Sequence, residues 1–166
     1  MSHAVVAVRH KRRRRAAMYW QYNRMMAPLS ILFVCIGNSC RSPMAEAIAR
    51  HLGGSRVDAR SAGLAPAGFV AGGTLTALET LGYSGEGLWS KGLGDVFVQD
   101  LDVVVSLLGK EALDLLPRGT GARREVWTVL DPFGEEEGVY LDVARGLEVR
   151  IRTLLSEELD GELFLS

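Results

Sequence analysis

The sequence predicts an α/β fold: a single three-layer domain whose four-stranded parallel sheet has helices on both faces. Three observations carry that prediction. Unbroken apolar runs, Ile31-Leu32-Phe33-Val34 and Val103-Val104-Val105, read as strands buried on both sides. Other segments place apolar residues every three or four positions, the period of a helix. The two patterns alternate along the chain, as strands joined by right-handed crossover helices require.

The elements follow in order. Ile31 to Ile36 is the first strand. Met44, Ile48 and Leu52 form the core stripe of a helix that ends at Gly53-Gly54. Val57 to Ser61 is a second, shorter strand, and Leu75, Leu78 and Leu81 mark a second helix closed by Gly82. Asp102 to Leu108 is a third strand, Glu111 to Leu116 a short helix stopped by Pro117, and Glu125 to Leu130 the fourth strand. Val139, Val143, Leu147, Ile151, Leu155 and Leu159 are the stripe of a long final helix.

A chain of 166 residues, 48% hydrophobic and 23% charged, has enough apolar material for one core. No apolar run approaches membrane-spanning length. Two cysteines, Cys35 and Cys40, are too few and too close for a secreted disulfide framework, so a reducing compartment, the cytoplasm, is expected. Charge is uneven: seven of the 19 basic residues and none of the 20 acids fall in residues 1–29, which leaves the remainder at -8. This places a basic, disordered extension over residues 1–29 and the domain over 30–166. Initiation at Met25 or Met26, just ahead of the first strand, is the alternative reading of that tail. A short basic run specifies no nucleic-acid sequence, and no specific nucleic-acid partner is expected. The apolar stretch Ala4 to Val8 precedes the charges and is too short for a secretory signal.

Chemistry concentrates in "CIGNSCRS", residues 35–42, between the first strand and first helix. Ligands of parallel sheets bind beyond the carboxyl ends of the strands, where this loop falls. Pro43 suits a first helical turn and Ser42 an N-cap, so the loop ends at a helix N-terminus with unpaired N–H groups and the positive end of the dipole. Gly37 and Asn38 tolerate left-handed backbone and let the N–H groups of Ile36, Gly37, Asn38, Ser39, Cys40, Arg41 and Ser42 curl toward one point. The result is a cradle for phosphate or another oxyanion. Cys35 at its mouth feels the same field and the charge of Arg41, both of which favour the thiolate. Arg41 offers two N–H groups to two phosphate oxygens, and the Ser42 hydroxyl can donate to the sulfur.

"CIGNSCRSPMAEA", "RSAG" at Arg60 to Gly63, and "DPFG" at Asp131 to Gly134 ahead of the last helix closely resemble the low-molecular-weight protein tyrosine phosphatases. The resemblance runs from about Ser30 to Leu159. It implies that Cys35 is the nucleophile of a cysteinyl-phosphate intermediate and Arg41 the transition-state clamp. Asn38 would hold the loop's shape and Ser42 would support the thiolate. Asp131 would be general acid, then general base. Cys40 would be the redox partner of Cys35 in a protective disulfide, its bland alternative being a small side chain turned into the loop. No cofactor and no metal are implied. Ile36 and Phe133 would wall a pocket for phosphotyrosine on a protein substrate. The loop after "SAG" lacks the aromatic residue the family often has there, leaving open whether Phe69 substitutes.

Arsenate mimics phosphate, and "LWSKGL" with "LDVVVSLLGKEALDLLP" is similar to the thioredoxin-coupled arsenate reductases of the same fold. Their relay needs further cysteines after the third strand, where this chain has Leu107, Leu108, Leu115 and Leu116. An arsenate reductase using an external small thiol stays open, as does a phosphoarginine phosphatase, though Cys40, Pro43 and "DPFG" favour a phosphatase; an idle phosphoprotein-binding module would need neither Cys35 nor Asp131. Zinc lacks ligands, with only His3, His10 and His51 in the chain. His51 lies about 13 Å along the first helix from its start, too far to pair with Cys35.

Overall fold

The Ile31–Val34 run sits at the centre of the molecule because both of its faces have cover. In the computed structural model, which describes residues 27–96, 99–110, 114 and 122–160, strand β1 (Leu29–Cys35) pairs in parallel with β2 (Val57–Gly63) on one side and β3 (Val103–Ser106) on the other. β4 (Arg123–Val126) adds in parallel to β3, which makes the order β2-β1-β3-β4. Ile31, Leu32, Phe33 and Val34 are all fully buried.

The two faces are covered differently. Ile31, Phe33 and Val105 point toward helices α1 (Arg41–Gly53), α2 (Gly72–Thr80) and α3 (Glu137–Asp160), among Met44, Ile48, Leu78, Leu147 and Ile151. Leu32, Val34 and Val104 point the other way, onto Leu101, Leu64 and Leu93, the last on a 3₁₀ turn at Leu93–Asp95. Each large aliphatic or aromatic side chain buried here contributes roughly 1.5–3 kcal/mol. No helix among the described residues is long and apolar enough to cross a membrane.

Three elements differ from their expected form. β4 spans Arg123–Val126 rather than Glu125–Leu130, because its partner β3 ends at Ser106, opposite Val126, and leaves nothing further to pair with. On α2 the buried face is Thr74, Ala77 and Leu78, while Leu75 is 42% exposed. Thr74 is turned inward by its hydroxyl, which donates to Ser39 O at 3.0 Å, and that rotates the helix away from the Leu75 stripe. α1 begins at Arg41 with Cys40 at its N-cap, so Ser42 lies inside the first turn and does not cap. Its hydroxyl is engaged elsewhere, in the loop. The helix expected over residues 111–116, apart from Asp114, and the basic segment up to residue 26 lie outside the described residues.

Candidate active site

The loop from Ile36 to Cys40 joins the carboxyl end of β1 to the N-terminus of α1 at the position expected for a ligand site. No side chain caps α1, so its first N–H groups face the loop without a protein partner of that kind. The left-handed turn falls on Asn38 alone, at φ 46°; Gly37, expected to share it, stays outside that region. The Gly37 carbonyl is committed outward, accepting from Ala67 N at 2.8 Å and from Ser90 Oγ at 2.9 Å.

A directional chain of hydrogen bonds fixes the interior of the loop. The Lys91 N–H donates to Asn38 Oδ1 at 2.8 Å, which settles which end of the amide is oxygen. Asn38 Nδ2 then donates to both Ser42 Oγ and Ser61 Oγ at 2.8 Å. Ser42 Oγ lies 2.9 Å from Cys35 Sγ and 3.4 Å from the Ala62 carbonyl. The order Lys91, Asn38, Ser42, Cys35 thus ends in a hydroxyl beside sulfur, which donates to it when the sulfur is a thiolate and stabilises the negative charge there. Beneath it, Ser61 donates to Glu46, whose fully buried carboxylate also receives Lys91 Nζ at 2.9 Å and is ion-paired with Arg50. Lys91 Nζ further donates to Ser61 Oγ at 3.2 Å and Trp89 O at 3.2 Å.

Arg41 reaches across the top. Its Nη1 donates to the carbonyls of Leu107 (3.3 Å) and Val129 (3.4 Å), and its Nη2 to Asp131 Oδ2 at 2.6 Å. Asp131 stands on the turn after β4, 46% exposed, its Oδ1 accepting from Phe133 N at 3.3 Å. Arg41 Nε and Ser39 Oγ are buried and have no hydrogen-bond partner among the described residues. Both residues line one cavity of about 220 Å³ with Cys35, Ile36, Gly37, Cys40, Asp131 and Phe133. Buried donors left open beside an uncapped helix N-terminus suit an oxyanion.

The expected site residues Cys35, Ile36, Gly37, Ser39, Cys40, Arg41, Asp131 and Phe133 thus share a single cavity, while Asn38 and Ser42 lie in the bonding network beneath it. Cys35 and Cys40 are both free and buried. Burial pushes the Cys40 thiol above its ordinary range. Phe69 does face Phe133, with ring centroids 6.2 Å apart and planes tilted by 49°. Both rings are about half exposed, as is Ile36. His51 packs edge-on against Tyr83 at 5.0 Å. Among the described residues no group of three or more His, Cys, Asp or Glu is placed to hold a metal ion.

Lys91, Glu46, Ser61 and Tyr140 were not singled out from the sequence. Glu46 carried a signal: it is the one acid within "PMAEAIA", an apolar run that buries whatever it contains. Tyr140 gave none, since an aromatic residue near the start of a helical stripe reads as core.

Residues 30–163 match the model of a family described as low molecular weight phosphotyrosine protein phosphatase. A glutaredoxin arsenate reductase of Synechocystis sp. is 32% identical over 128 residues, covering 76% of this chain and 96% of the relative. A protein-arginine-phosphatase of Bacillus subtilis is 31% identical over 147 residues, covering 78% and 96% respectively. Among solved structures, an arsenate reductase in the phosphate binding state superposes with a TM-score of 0.70 at 31% identity, covering 77% of this chain and 97% of that one.

Proposed function

Since the chain belongs to the low molecular weight phosphotyrosine protein phosphatase family, we propose that it hydrolyses phosphomonoesters, with phosphotyrosine on a protein as substrate. The observation that carries this reading is the convergence of Cys35, Arg41 and Asp131 on one cavity at the N-terminus of α1. Cys35 Sγ attacks phosphorus, the bond to the ester oxygen breaks, and Asp131 delivers a proton to the departing oxygen. The same carboxylate then takes a proton from the water that attacks the cysteinyl-phosphate, and inorganic phosphate leaves with the thiolate restored. Arg41 Nε and the loop N–H groups hold the phosphoryl oxygens as charge moves among them. Ser42, held by Asn38, donates its proton to the thiolate from beneath and makes it a better leaving group in the second step.

Phe69, Phe133 and Ile36 support an aryl ester over an alkyl one. They put two half-exposed rings and an aliphatic side chain above a buried cradle, a depth that suits a phosphate carried on a ring. The reading includes residues 30–166 as the catalytic domain, and two free cysteines support a reducing compartment, the cytoplasm. Reduction of arsenate is the second reading, favoured by the relatives of that name and by the likeness of arsenate to phosphate. It requires a thiol from outside to release arsenite and re-reduce the enzyme, since no cysteine follows Cys40.

The test compares phosphate release from phosphotyrosine, phosphoarginine and phosphoserine peptides under reducing conditions, alongside arsenate reduction with glutathione. Phosphotyrosine turnover that is abolished in Cys35→Ser and lowered by about 10²–10⁴ in Asp131→Asn supports the proposal. Equal turnover of the three peptides removes the phosphotyrosine assignment. Arsenate reduction without phosphate release replaces it with the second reading.

A further inference from the structure

Tyr140 stands in the first turn of α3, buried, with no part in the reaction as outlined above. Its hydroxyl accepts the N–H of Gly134 at 3.2 Å. The Tyr140 side chain is buried in one cluster with Cys40 and Ala71. The ring is seated against Gly73 of α2, where a Cβ would come within 2.8 Å of its carbons, so no larger residue fits beneath it. The hydroxyl thus holds the last residue of the turn that carries Asp131, and the ring rests on the start of α2, where Ala71 N and Thr74 Oγ1 each donate to Ser39 O of the phosphate loop at 3.0 Å.

That turn has few other ties. Phe133 N and Glu135 N bond within it, to Asp131 Oδ1 and Pro132 O, and the Phe133 ring is more than half exposed. Its link to the loop through Asp131 and Arg41 is one that an incoming oxyanion must loosen, because the anion takes up the same guanidinium. The path from Gly134 through Tyr140 and α2 to Ser39 does not involve Arg41 and survives that exchange.

We propose that Tyr140 is a positioning residue, whose hydroxyl holds the Gly134 N–H while its ring rests on α2, the helix bonded to the phosphate loop at Ser39, and which so sets the reach of Asp131 to the leaving-group oxygen. The inference rests on the phosphatase reading. Burial raises the Tyr140 phenol above its ordinary value, so at neutral pH it is an uncharged hydroxyl whose oxygen accepts from Gly134.

Proton delivery matters most when the departing oxygen is strongly basic, which gives a readout that mere loss of packing would not move. The experiment measures kcat/KM of the unmodified protein and Tyr140→Phe on phenyl phosphate and on p-nitrophenyl phosphate, whose nitrophenolate leaves without help. Expected is a loss of about tenfold on phenyl phosphate and under about twofold on the nitro ester, with inhibition by inorganic phosphate unchanged. In an Asp131→Asn background the same change is expected to add nothing on phenyl phosphate, since the group it positions is gone. Equal losses on both esters, or no loss on either, overturn the inference and leave the phosphatase reading standing. Absence of hydrolysis by the unmodified protein overturns both.

Discussion

The Arg41 guanidinium and the Asp131 carboxylate are joined at 2.6 Å across 90 residues of sequence, with the arginine buried and the aspartate half open to solvent. The carboxylate occupies a donor that an oxyanion in the cradle would use, so acid and ligand compete for one side chain. Substitution Asp131→Ala should therefore have opposite effects on turnover and on product affinity. Turnover falls by about 10²–10⁴ with the proton donor gone. The inhibition constant of inorganic phosphate falls as well, by up to about fivefold, since a pair this exposed is worth up to about 1 kcal/mol. Phosphate inhibition measured beside kcat checks both, and weaker phosphate binding in the variant would rule the competition out.

Gly63, the last residue of "RSAG", is packed against the loop itself. A Cβ there would lie 2.5 Å from Ile36 O and 2.9 Å from Asn38 N, both backbone atoms that cannot swing aside. Gly63→Ala is expected to destabilise the protein by about 1–3 kcal/mol and to weaken phosphate binding, because relief of the clash moves the cradle. Denaturant unfolding and phosphate inhibition measure the two effects. Alanine at Gly72, where added atoms meet nothing, serves as the neutral comparison.

Lys91 and Glu46 form a buried pair beneath the loop, the carboxylate fully covered. Lys91→Met leaves that carboxylate with only Arg50 as a cationic partner, and breaking such a pair costs about 3–5 kcal/mol; the lower end is expected because Arg50 remains. Adding Glu46→Gln removes the uncompensated charge and should recover part of the loss. Unfolding free energies of the two single variants and the double variant complete the cycle, and strict additivity would show that the pair is not coupled.

Burial raises the Cys40 thiol above its ordinary value of 9.0. The native state then holds a proton that the unfolded chain gives up, so this contribution is intact below about pH 9 and is lost as pH rises through the folded-state value. The stability of the unmodified protein relative to Cys40→Ala should accordingly be flat from about pH 7 to pH 8.5 and fall beyond it. Paired denaturation curves across that range test the sign; a relative stability that grows with pH would mean that the thiol is favoured as an anion.

Much of the cradle was legible in the chain because it is local. Cys35, Asn38, Arg41 and Ser42 lie within eight residues, between a strand and a helix whose own periodicities are strong, and the left-handed Asn38 and the helix start shape the loop with short-range geometry. The phase of α2 was misread because a threonine hydroxyl found a carbonyl partner from a distant loop, and hydrophobic spacing carries no record of that bond. Ser42 was read as a cap for the same reason, its true partners Cys35 and Asn38 being defined only once the loop closes. By itself the sequence determined the sheet, the order of its elements, and the placing of Cys35 and Arg41 on one loop between a strand and a helix. Only the tertiary structure decided that Asp131 rests on Arg41, that Phe69 faces Phe133, that Lys91 and Glu46 support Asn38 through Ser61, and that Tyr140 holds the end of the Asp131–Gly134 turn. Those contacts join segments brought together by parallel pairing of β1 with β2 and β3, and their chemistry depends on distances that no run of neighbouring residues encodes.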